Sequence, residues 1–239
     1  FTLHGGMLAR ISEQLPVPVA APDLPGHGRT RIEPISVRSA VDAVIDFLSG
    51  TSSPPVLIGY SQGARIALQT ALTNAELIGS LLLISASPGL SEQARRMRRA
   101  ADDGLAERIE QIGIERFIDE WLANPMTSTS AVDEDARSTD RSIRLENTAE
   151  GLAAALRGMG QGCVADTSDR IAKLPMPTVF MAGADDDKYS SLALAMAETR
   201  GVEPVLVPGH VPDPRPRDVD DHELTTTAQR AGGVQQQRA

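Results

Sequence analysis

The sequence predicts an α/β protein with a mostly parallel sheet, because strand-like and helix-like segments alternate along its first half and again near its end. The segments 56–58 (VLI) and 81–84 (LLLI) are short apolar runs, which are typical of buried strands. Residues 36–49 place apolar side chains at helical spacing after Ser36, a residue type that caps helices well. Residues 62–72 also predict a helix. This alternation predicts parallel strands with helices on both faces.

The alternation is interrupted in the middle of the chain, where apolar residues form helical stripes among many charges. This block predicts a helical cap inserted between strands of the sheet. A strand at 178–181, a helix around 192–198 and a strand at 205–207 follow it, and short strands are also expected at 1–3 and 17–21. The predicted domains are a first part of the α/β core at 1–90, the cap at 91–157, a second part of the core at 158–210 and an irregular tail at 211–239. We expect N-terminal strands of the core to be missing from the first part. Disorder is the default expectation for the tail.

Composition excludes several classes of function. The net charge of −9, from 23 Lys and Arg against 32 Asp and Glu, argues against binding to nucleic acid or to an anionic membrane. A single cysteine, Cys163, excludes an internal disulfide and a cysteine-based zinc site. Apolar runs stay well short of the roughly 18 residues of a membrane span. We therefore expect a cytoplasmic protein with no membrane insertion, no metal and no cofactor, and the sequence leaves its oligomeric state open.

Residues 59–63 (GYSQG) form a G-x-S-x-G pattern between a predicted strand and a predicted helix. In that context Ser61 would lie on a sharp turn with its hydroxyl exposed, and the flanking glycines would avoid clashes. The N–H of Gln62, at the start of the helix, can face a developing oxyanion. Gly6, in the turn 4–6 (HGG), is a candidate for the second donor. The alternative is that Ser61 is an ordinary turn serine and that 4–6 is an ordinary glycine turn.

A catalytic serine needs a histidine, and the histidine needs a carboxylate that orients it. Enzymes with this serine turn have the chain order Ser, Asp, His. The acidic stretch 185–187 (DDD), after the predicted strand at 178–181, matches this order, although the stretch could be a solvated loop. His210 is the best-placed histidine, with His222 as the fallback. His27, in 23–28 (DLPGHG), could also lie near the site, but a Pro/Gly turn explains that segment equally well.

These motifs resemble those of α/β-hydrolases, and further features are similar to a narrower family, the 2-succinyl-6-hydroxy-2,4-cyclohexadiene-1-carboxylate synthases of menaquinone biosynthesis. The resemblance covers roughly residues 3–210. Its features are Arg65 one turn after the serine, 88–90 (PGL) before an arginine-rich helix, Trp121, Arg144-x-x-Asn147 before 151–156 (GLAAAL), and Gly183-x-x-Asp186-x-Lys188-Tyr189.

The resemblance implies a lyase on a hydrolase fold. This family eliminates pyruvate from 2-succinyl-5-enolpyruvyl-6-hydroxy-3-cyclohexene-1-carboxylate. Ser61, activated by His210 and Asp186, would abstract the proton that starts the elimination. The N–H groups near Gly6 and Gln62 would stabilise the oxyanion that forms.

The substrate so implied is a small tricarboxylate, and arginine pairs bidentately with carboxylates. Arg65 can face the same cavity as Ser61, one helical turn away. Among the arginines at 95–99, which could otherwise form a solvated helix face, the spacing of the family after Leu90 selects Arg99. The resemblance further implies substrate contacts by Tyr60, Trp121, Arg144 and Lys188, although Tyr60 could simply pack and Lys188 could be a surface lysine.

The end of the chain departs from the family pattern. The family continues past its catalytic histidine with Ala/Val-x-His-x-Glu and a final helix, whereas this chain has 210–214 (HVPDP). A frameshift or rearrangement near Gly209 would explain the departure. Two alternatives to the lyase therefore stay open. One is a serine esterase or carbon–carbon bond hydrolase of the same fold, and the other is an inactive α/β-hydrolase-like binding protein.

Overall fold

The computed structural model describes residues 1–8, 12–30, 32–124 and 134–209. The strands are β1 (Val56–Tyr60), β2 (Ser80–Ile84), β3 (Thr178–Gly183) and β4 (Val205–Val207). The α-helices are α1 (Val37–Ser49), α2 (Gln62–Thr73), α3 (Glu92–Ala123), α4 (Glu134–Arg144), α5 (Ala149–Met159), α6 (Ser168–Ile171) and α7 (Asp187–Arg200). Short 3-10 turns lie at Gly5–Leu8, Ala75–Leu77 and Gln161–Cys163.

The four strands pair in parallel in the order β1-β2-β3-β4. Ile58 pairs with Leu82, which pairs with Val179. Because all four strands run in the same direction, their carboxyl ends lie at one edge of the sheet. The segments that follow the strands, including the turn at Ser61 and the loop at Asp186, therefore begin at that edge, where α/β proteins usually bind ligands.

One face of the sheet forms the main core. Leu81, Leu83 and Phe180 are buried on it, packed against apolar residues of α2 and α7. On the opposite face, among the residues described, Ile58 and Val179 are 51% and 39% exposed. Alternate residues of each strand point to opposite faces, so the two faces of this sheet have very different access to water.

Local sequence explains where the helices begin and end. Ser36 caps α1, and its side chain and that of Ser39 each accept from the other's backbone N–H, which forms a reciprocal capping box. The helix α7 ends at Gly201, whose φ of 74° lies in the left-handed region that favours glycine. Gly113 also has a positive φ, 75°, and introduces a kink into the long helix α3.

The helices α3 and α5 pack on each other through a second apolar cluster. Ala106, Ile109 and Ile118 of α3 lie against Leu152 and Leu156 of α5. Within the described residues, none of the helices combines the length and the apolar composition that a membrane crossing requires.

Two predicted strands are wrong. Residues 17–21 are not in a strand, and Val17 is 58% exposed. Pro16, Pro18 and Pro22 interrupt and flank this segment, and proline has no N–H to donate to a strand ladder. Residues 1–3 are not in a strand either, because Thr2 has a φ of 65°, outside the extended region. The tail at 211–239 lies outside the described residues.

Candidate active site

Ser61 lies on the turn between β1 and α2, in a backbone conformation that residues with side chains rarely adopt. Its φ and ψ are 50° and −108°, and its N–H donates to the carbonyl of Ile84 over 2.9 Å. A Cβ on Gly59 would lie 2.5 Å from the Cα of Ala64, so this close approach requires glycine. Around Gly63 there is open space for a Cβ. The expectation that both flanking glycines avoid clashes is therefore correct for Gly59 and wrong for Gly63.

A second strained serine lies at the same edge of the sheet. Ser85 follows β2 with a φ of 48°, and its N–H donates to the carbonyl of Met181 over 2.8 Å. Residues held in such conformations cost free energy and are found mostly at functional sites. The backbone at the carboxyl ends of β1 and β2 is thus strained at Ser61 and Ser85.

Asp186 follows β3 and caps α7, where its Oδ1 accepts from the N–H of Tyr189 over 3.0 Å. Its side chain is exposed. Gly209, the last described residue, follows β4, and a Cβ on it would collide with the carboxylate of Asp185. The chain therefore passes beside the acidic loop immediately before His210. His210 itself and the fallback His222 lie outside the described residues, so their roles stay predictions.

Gly6 and Gln62, the predicted oxyanion donors, have different surroundings. Gln62 begins α2, at the positive end of the helix dipole. The N–H of Gly6 donates to Nδ1 of His4 over 3.2 Å, and Nε2 of His4 lies 2.8 Å from the carbonyl oxygen of Ile143. This pair of contacts places the proton of His4 on Nε2. The oxyanion role of Gly6 and Gln62 stays a prediction.

Arg65 is buried one helical turn after Ser61. It is 7% exposed, and its Nε has no hydrogen-bond partner among the described residues. Burial lowers the pKa of Arg65, and the charges of Tyr189, Arg98 and Asp102 act on it as well. A guanidinium nevertheless stays protonated in proteins, and a buried N–H without a hydrogen-bond acceptor is costly. The surroundings of Arg65 therefore favour an anion.

Tyr60 lies among ionisable groups at its phenol end. Desolvation of the phenol raises the pKa of Tyr60, as does Tyr189, whereas Arg144 lowers it. The residue as a whole is 54% exposed. Asp186 also acts on this phenol. Tyr60, Arg144 and Asp186 thus lie close enough to interact electrostatically. Tyr189 interacts in the same way with both Tyr60 and Arg65.

Arg144 is buried at the end of α4. Its Nε donates to Oδ1 of Asp140 over 2.9 Å, and its Nη1 donates to the hydroxyl of Thr2. Asn147 is also buried and donates from Nδ2 to the carbonyls of Thr2 and Arg144, over 2.9 and 2.8 Å. The position of Arg144 is therefore fixed by several contacts, and its charge already has a carboxylate partner.

The arginines at the start of α3 differ in their access to the site. Arg96 is exposed and pairs with Glu92 over 2.8 Å. Arg99 is also exposed, and its Nε donates to the carbonyl of Gly162 over 3.1 Å. Arg95 donates to the same carbonyl over 3.2 Å. These three side chains lie along the outside of the helix or against the 3-10 turn after α5.

Arg98 is the arginine of this helix that acts most strongly on Arg65. Its Nε donates to Oδ1 of the buried Asp102 over 2.8 Å, and its Nη1 donates to Oε1 of Gln161 over 3.4 Å. The family spacing selects Arg99, but adjacent residues of a helix point about 100° apart. In this structure the charge of Arg98 acts on Arg65, whereas Arg99 is exposed and its substrate contact stays a prediction.

Trp121 and Lys188 lie in different surroundings. Trp121 belongs to an aromatic cluster, with its ring centroid 5.5 Å from that of Phe1 and 5.7 Å from that of Phe117. Lys188 is exposed, with its ammonium 5.8 Å from the ring centroid of Tyr189. Trp121 thus contributes to the packing of the cap, and the substrate contacts of both residues stay predictions.

His27 is a packing residue. It is buried, and Nδ1 lies 3.1 Å from the carbonyl oxygen of Pro25. Burial lowers the pKa of His27 to about 4, so the ring is neutral at pH 7. Its ring meets that of Phe1 edge-on at 6.0 Å between centroids. Of the two interpretations of 23–28, the structural turn is the one that these contacts favour.

Asp102 and Gln161 are two residues near this site that the sequence did not predict. Arg98 and Asp102 are four residues apart, a spacing typical of ion pairs on one helix face, so this pair could have been found. Gln161 reaches Arg98 because the chain after α5 returns to α3, which no local pattern in the sequence indicates.

A family model described as the alpha/beta hydrolase family matches residues 2–222. The chain belongs to the alpha/beta hydrolase family. This membership agrees with the parallel sheet and with the strained serine after β1, and it confirms the predicted fold class.

Proteins of known name within this family confirm the narrower resemblance. The chain is 29% identical over 180 residues to the 2-succinyl-6-hydroxy-2,4-cyclohexadiene-1-carboxylate synthase of Salmonella heidelberg (strain SL476). This alignment covers 74% of this chain and 71% of that protein. It is 37% identical over 138 residues to a Bacillus subtilis (strain 168) protein that carries the same name provisionally. That match covers 57% of this chain and spans half of the Bacillus protein.

Solved structures of the family agree with the sequence relatives. MenH from S. aureus superposes with a TM-score of 0.80 at 25% identity, over 96% of this chain and 89% of that one. A thermophilic esterase from Thermogutta terrifontis superposes with a TM-score of 0.70 at 24% identity, over 97% and 86% of the two chains. The second likeness shows the shared fold alone.

Proposed function

We propose that this family member is a carbon–oxygen lyase of menaquinone biosynthesis, a 2-succinyl-6-hydroxy-2,4-cyclohexadiene-1-carboxylate synthase. The names of its relatives support the proposal. The structural observation on which it rests is Arg65, a buried cation one turn from Ser61 whose Nε lacks a partner among the described residues. An ester hydrolase acting on a neutral substrate has no use for such a cation, whereas a substrate with three carboxylates does.

The proposed reaction needs one base and one oxyanion site. The base removes the proton from the ring carbon that bears the succinyl group, because the adjacent ketone accepts the negative charge as an oxyanion. The electrons of that C–H bond form a new ring double bond, the existing double bond shifts by one carbon, and the C–O bond to the enolpyruvyl group breaks. The enolpyruvate takes up a proton and becomes pyruvate, and the ring is left as the 2,4-diene. No acyl-enzyme is required.

Ser61 is the proposed proton acceptor, with His210 and Asp186 as its partners. Gly209 lies against the carboxylate of Asp185, the neighbour of Asp186 in the acidic loop, and His210 follows Gly209 directly in the chain. In this proposal the N–H groups of Gly6 and Gln62 bind the oxyanion, and Gly6 exchanges its 3.2 Å contact with His4 for that role.

The proposed ligand is a small tricarboxylate, and three cations are available for it. Arg65 is the first, Arg98 is the second in place of the exposed Arg99, and Arg144 is the third, beside the phenol of Tyr60. Bidentate arginine pairs would hold the carboxylates and orient the ring. Trp121 would provide an apolar wall, and Lys188 a contact at the rim. The chemistry proposed here uses no metal or cofactor.

Pyruvate release from freshly generated enolpyruvyl substrate tests the proposal, with lactate dehydrogenase and NADH as the detector. We expect release by the unchanged protein and a loss of at least about a hundredfold in Ser61→Ala, the usual contribution of a positioned base. Ser80→Ala, at the opposite end of the sheet on β2, is the matched control and should stay active. Faster turnover of a chromogenic ester than of this substrate would instead identify an esterase, and no turnover of either would favour a binding protein.

A pair of histidine variants tests the remaining partner. We expect His210→Gln to abolish pyruvate release and His222→Gln to leave it unchanged. The reverse result would assign the role to His222. A parallel pair, Asp186→Asn and Asp185→Asn, tests which carboxylate of the acidic loop orients the histidine, and we expect the larger loss for Asp186→Asn.

A further inference from the structure

Asp102 is a buried carboxylate on α3 whose two oxygens have different partners. It is 3% exposed. Its Oδ1 accepts from Nε of Arg98 over 2.8 Å, and its Oδ2 accepts from the N–H of Gly162 over 3.4 Å. The same Oδ2 leaves no room for a side chain on Gly160. The carboxylate therefore connects α3 to the turn after α5 and occupies one fixed position.

Arg98 is held at two points, and most of its donors remain for another acceptor. Asp102 binds Nε, and Oε1 of Gln161 binds Nη1 over 3.4 Å. Gln161 is itself buried and donates to the hydroxyl of Ser87 over 3.4 Å. These contacts use two of the five N–H groups of a guanidinium. The side chain of Arg98 is 42% exposed, so a ligand from solution can reach it.

The groups around Arg65 have an excess of positive charge. Arg98 and Asp102 act on Arg65, as do Tyr189 and Cys163. Burial raises the pKa of Cys163 above its ordinary value, so its thiol carries no charge at pH 7. Two guanidiniums thus lie near one buried carboxylate, Asp102, which is hydrogen-bonded to Arg98. Such a group of charges favours the binding of one further anion.

We propose that Asp102 is a positioning residue, which fixes Arg98 beside Arg65 so that the two guanidiniums together bind one carboxylate of the substrate. This inference rests on the proposed function. Asp102 acts through Arg98 and does not touch the substrate. Its hydrogen bond prevents Arg98 from turning towards water, and its charge offsets the repulsion between the two cations.

Michaelis constants for pyruvate release test this role. We expect Asp102→Ala to raise KM about tenfold, the size of one charge-assisted hydrogen bond, and to change kcat less than about threefold. Asp102→Asn keeps an oxygen that accepts from Nε, so it should recover most of the affinity. Asp103→Ala changes the adjacent, exposed carboxylate and should leave both constants unchanged.

A double-mutant cycle separates positioning from a purely structural role. When Arg98 is already alanine, a further Asp102→Ala change should raise KM by less than about twofold, because no side chain remains to be positioned. An equal rise in KM with and without Arg98, or an effect confined to kcat, would overturn the inference. If Asp102→Ala does not fold, Asp102→Ser, whose side chain is too short to hold Nε of Arg98, takes its place in the cycle.

The two proposals fail in different ways. A wild-type protein that releases no pyruvate would overturn the proposed function. A wild-type protein that releases pyruvate with a KM insensitive to Asp102 would overturn only the role of Asp102.

Discussion

The carboxyl edge of the sheet and the cap place their parts of the site by different means. At the sheet edge the backbone positions Ser61, through a strained turn and the close approach that Gly59 allows. In the cap, side chains position Arg98 and Arg144, each paired with a buried aspartate four residues away on its own helix. The first arrangement depends on neighbouring residues in the chain. The second depends on how distant segments pack.

Arg65 lies where these two regions meet, and it differs from the arginines of the cap. It belongs to α2, but the charged groups that act on it, Arg98 and Asp102, belong to α3. Arg144 has a buried partner in Asp140, whereas Nε of Arg65 has none among the described residues. Removing one partner of a buried ion pair leaves the other charge uncompensated, whereas removing Arg65 leaves no such charge behind. The comparison therefore predicts opposite effects of removing these charges.

The largest expected effect is on stability at Arg144. Arg144→Met would leave Asp140 as an uncompensated buried charge, which costs about 3–5 kcal/mol. Arg65→Met should cost no stability and add about 1 kcal/mol, while it lowers kcat/KM by at least about a hundredfold. Urea unfolding and pyruvate release measure the two quantities. Equal destabilisation by both changes would contradict the contrast drawn here.

The next effect concerns the glycines of the serine turn. Gly59→Ala places a Cβ against the backbone at Ala64, so either β1 or α2 must move, at a cost of about 3 kcal/mol. Gly63→Ala meets open space and replaces a poor helix former, so it should be neutral or stabilising by up to about 1 kcal/mol. The urea midpoints of the two variants measure this difference in stability. Similar midpoints would show that the turn does not depend on the close approach at Gly59.

A smaller effect comes from His27, next to an aromatic cluster of the cap. Its pKa falls from 6.5 to about 4 on folding, chiefly through burial, so the unfolded chain binds a proton more readily between these values. The stability that the neutral ring contributes is present above pH 6.5 and is lost as the pH falls towards 4. Between pH 7 and pH 5 the loss is about 2 kcal/mol.

His27→Gln is the variant that isolates this contribution. It removes the titrating group, so its free energy of unfolding should fall about 2 kcal/mol less than that of the unchanged protein over the same pH range. Urea unfolding at pH 7 and at pH 5 measures this free energy for both proteins, which share all other titrating residues. Parallel losses in the two proteins would mean that His27 is protonated in the folded state.

The elements that the sequence predicted well are those whose signals are local. Ser36 marks the start of α1, and the run 56–58 marks β1, because a cap and an apolar strand each need only adjacent residues. The serine turn was predictable for the same reason. The segment 17–21 looked apolar enough for a strand, but its prolines and its exposure exclude one.

The cap was predictable as helices and less so as a binding surface. A shift of one residue turns a helical side chain by about 100°, and this shift distinguishes the exposed Arg99 from Arg98 beside Arg65. The buried partner of Arg98 could be read from the spacing of four residues, whereas its contact with Gln161 depends on the return of the chain after α5. Long-range packing therefore limits what the sequence alone can predict here.

The smallest expected effect tests whether the backbone truly positions Ser61. A φ of 50° costs about 1–3 kcal/mol for a residue with a side chain, and glycine adopts it without strain. Glycine also gives the unfolded chain more freedom, which costs up to about 1 kcal/mol. Ser61→Gly should therefore be about 1 kcal/mol more stable than Ser61→Ala, although neither can act as the base. If the alanine variant has the higher urea midpoint, the turn is not strained, and local backbone geometry does not set the sheet edge apart from the cap.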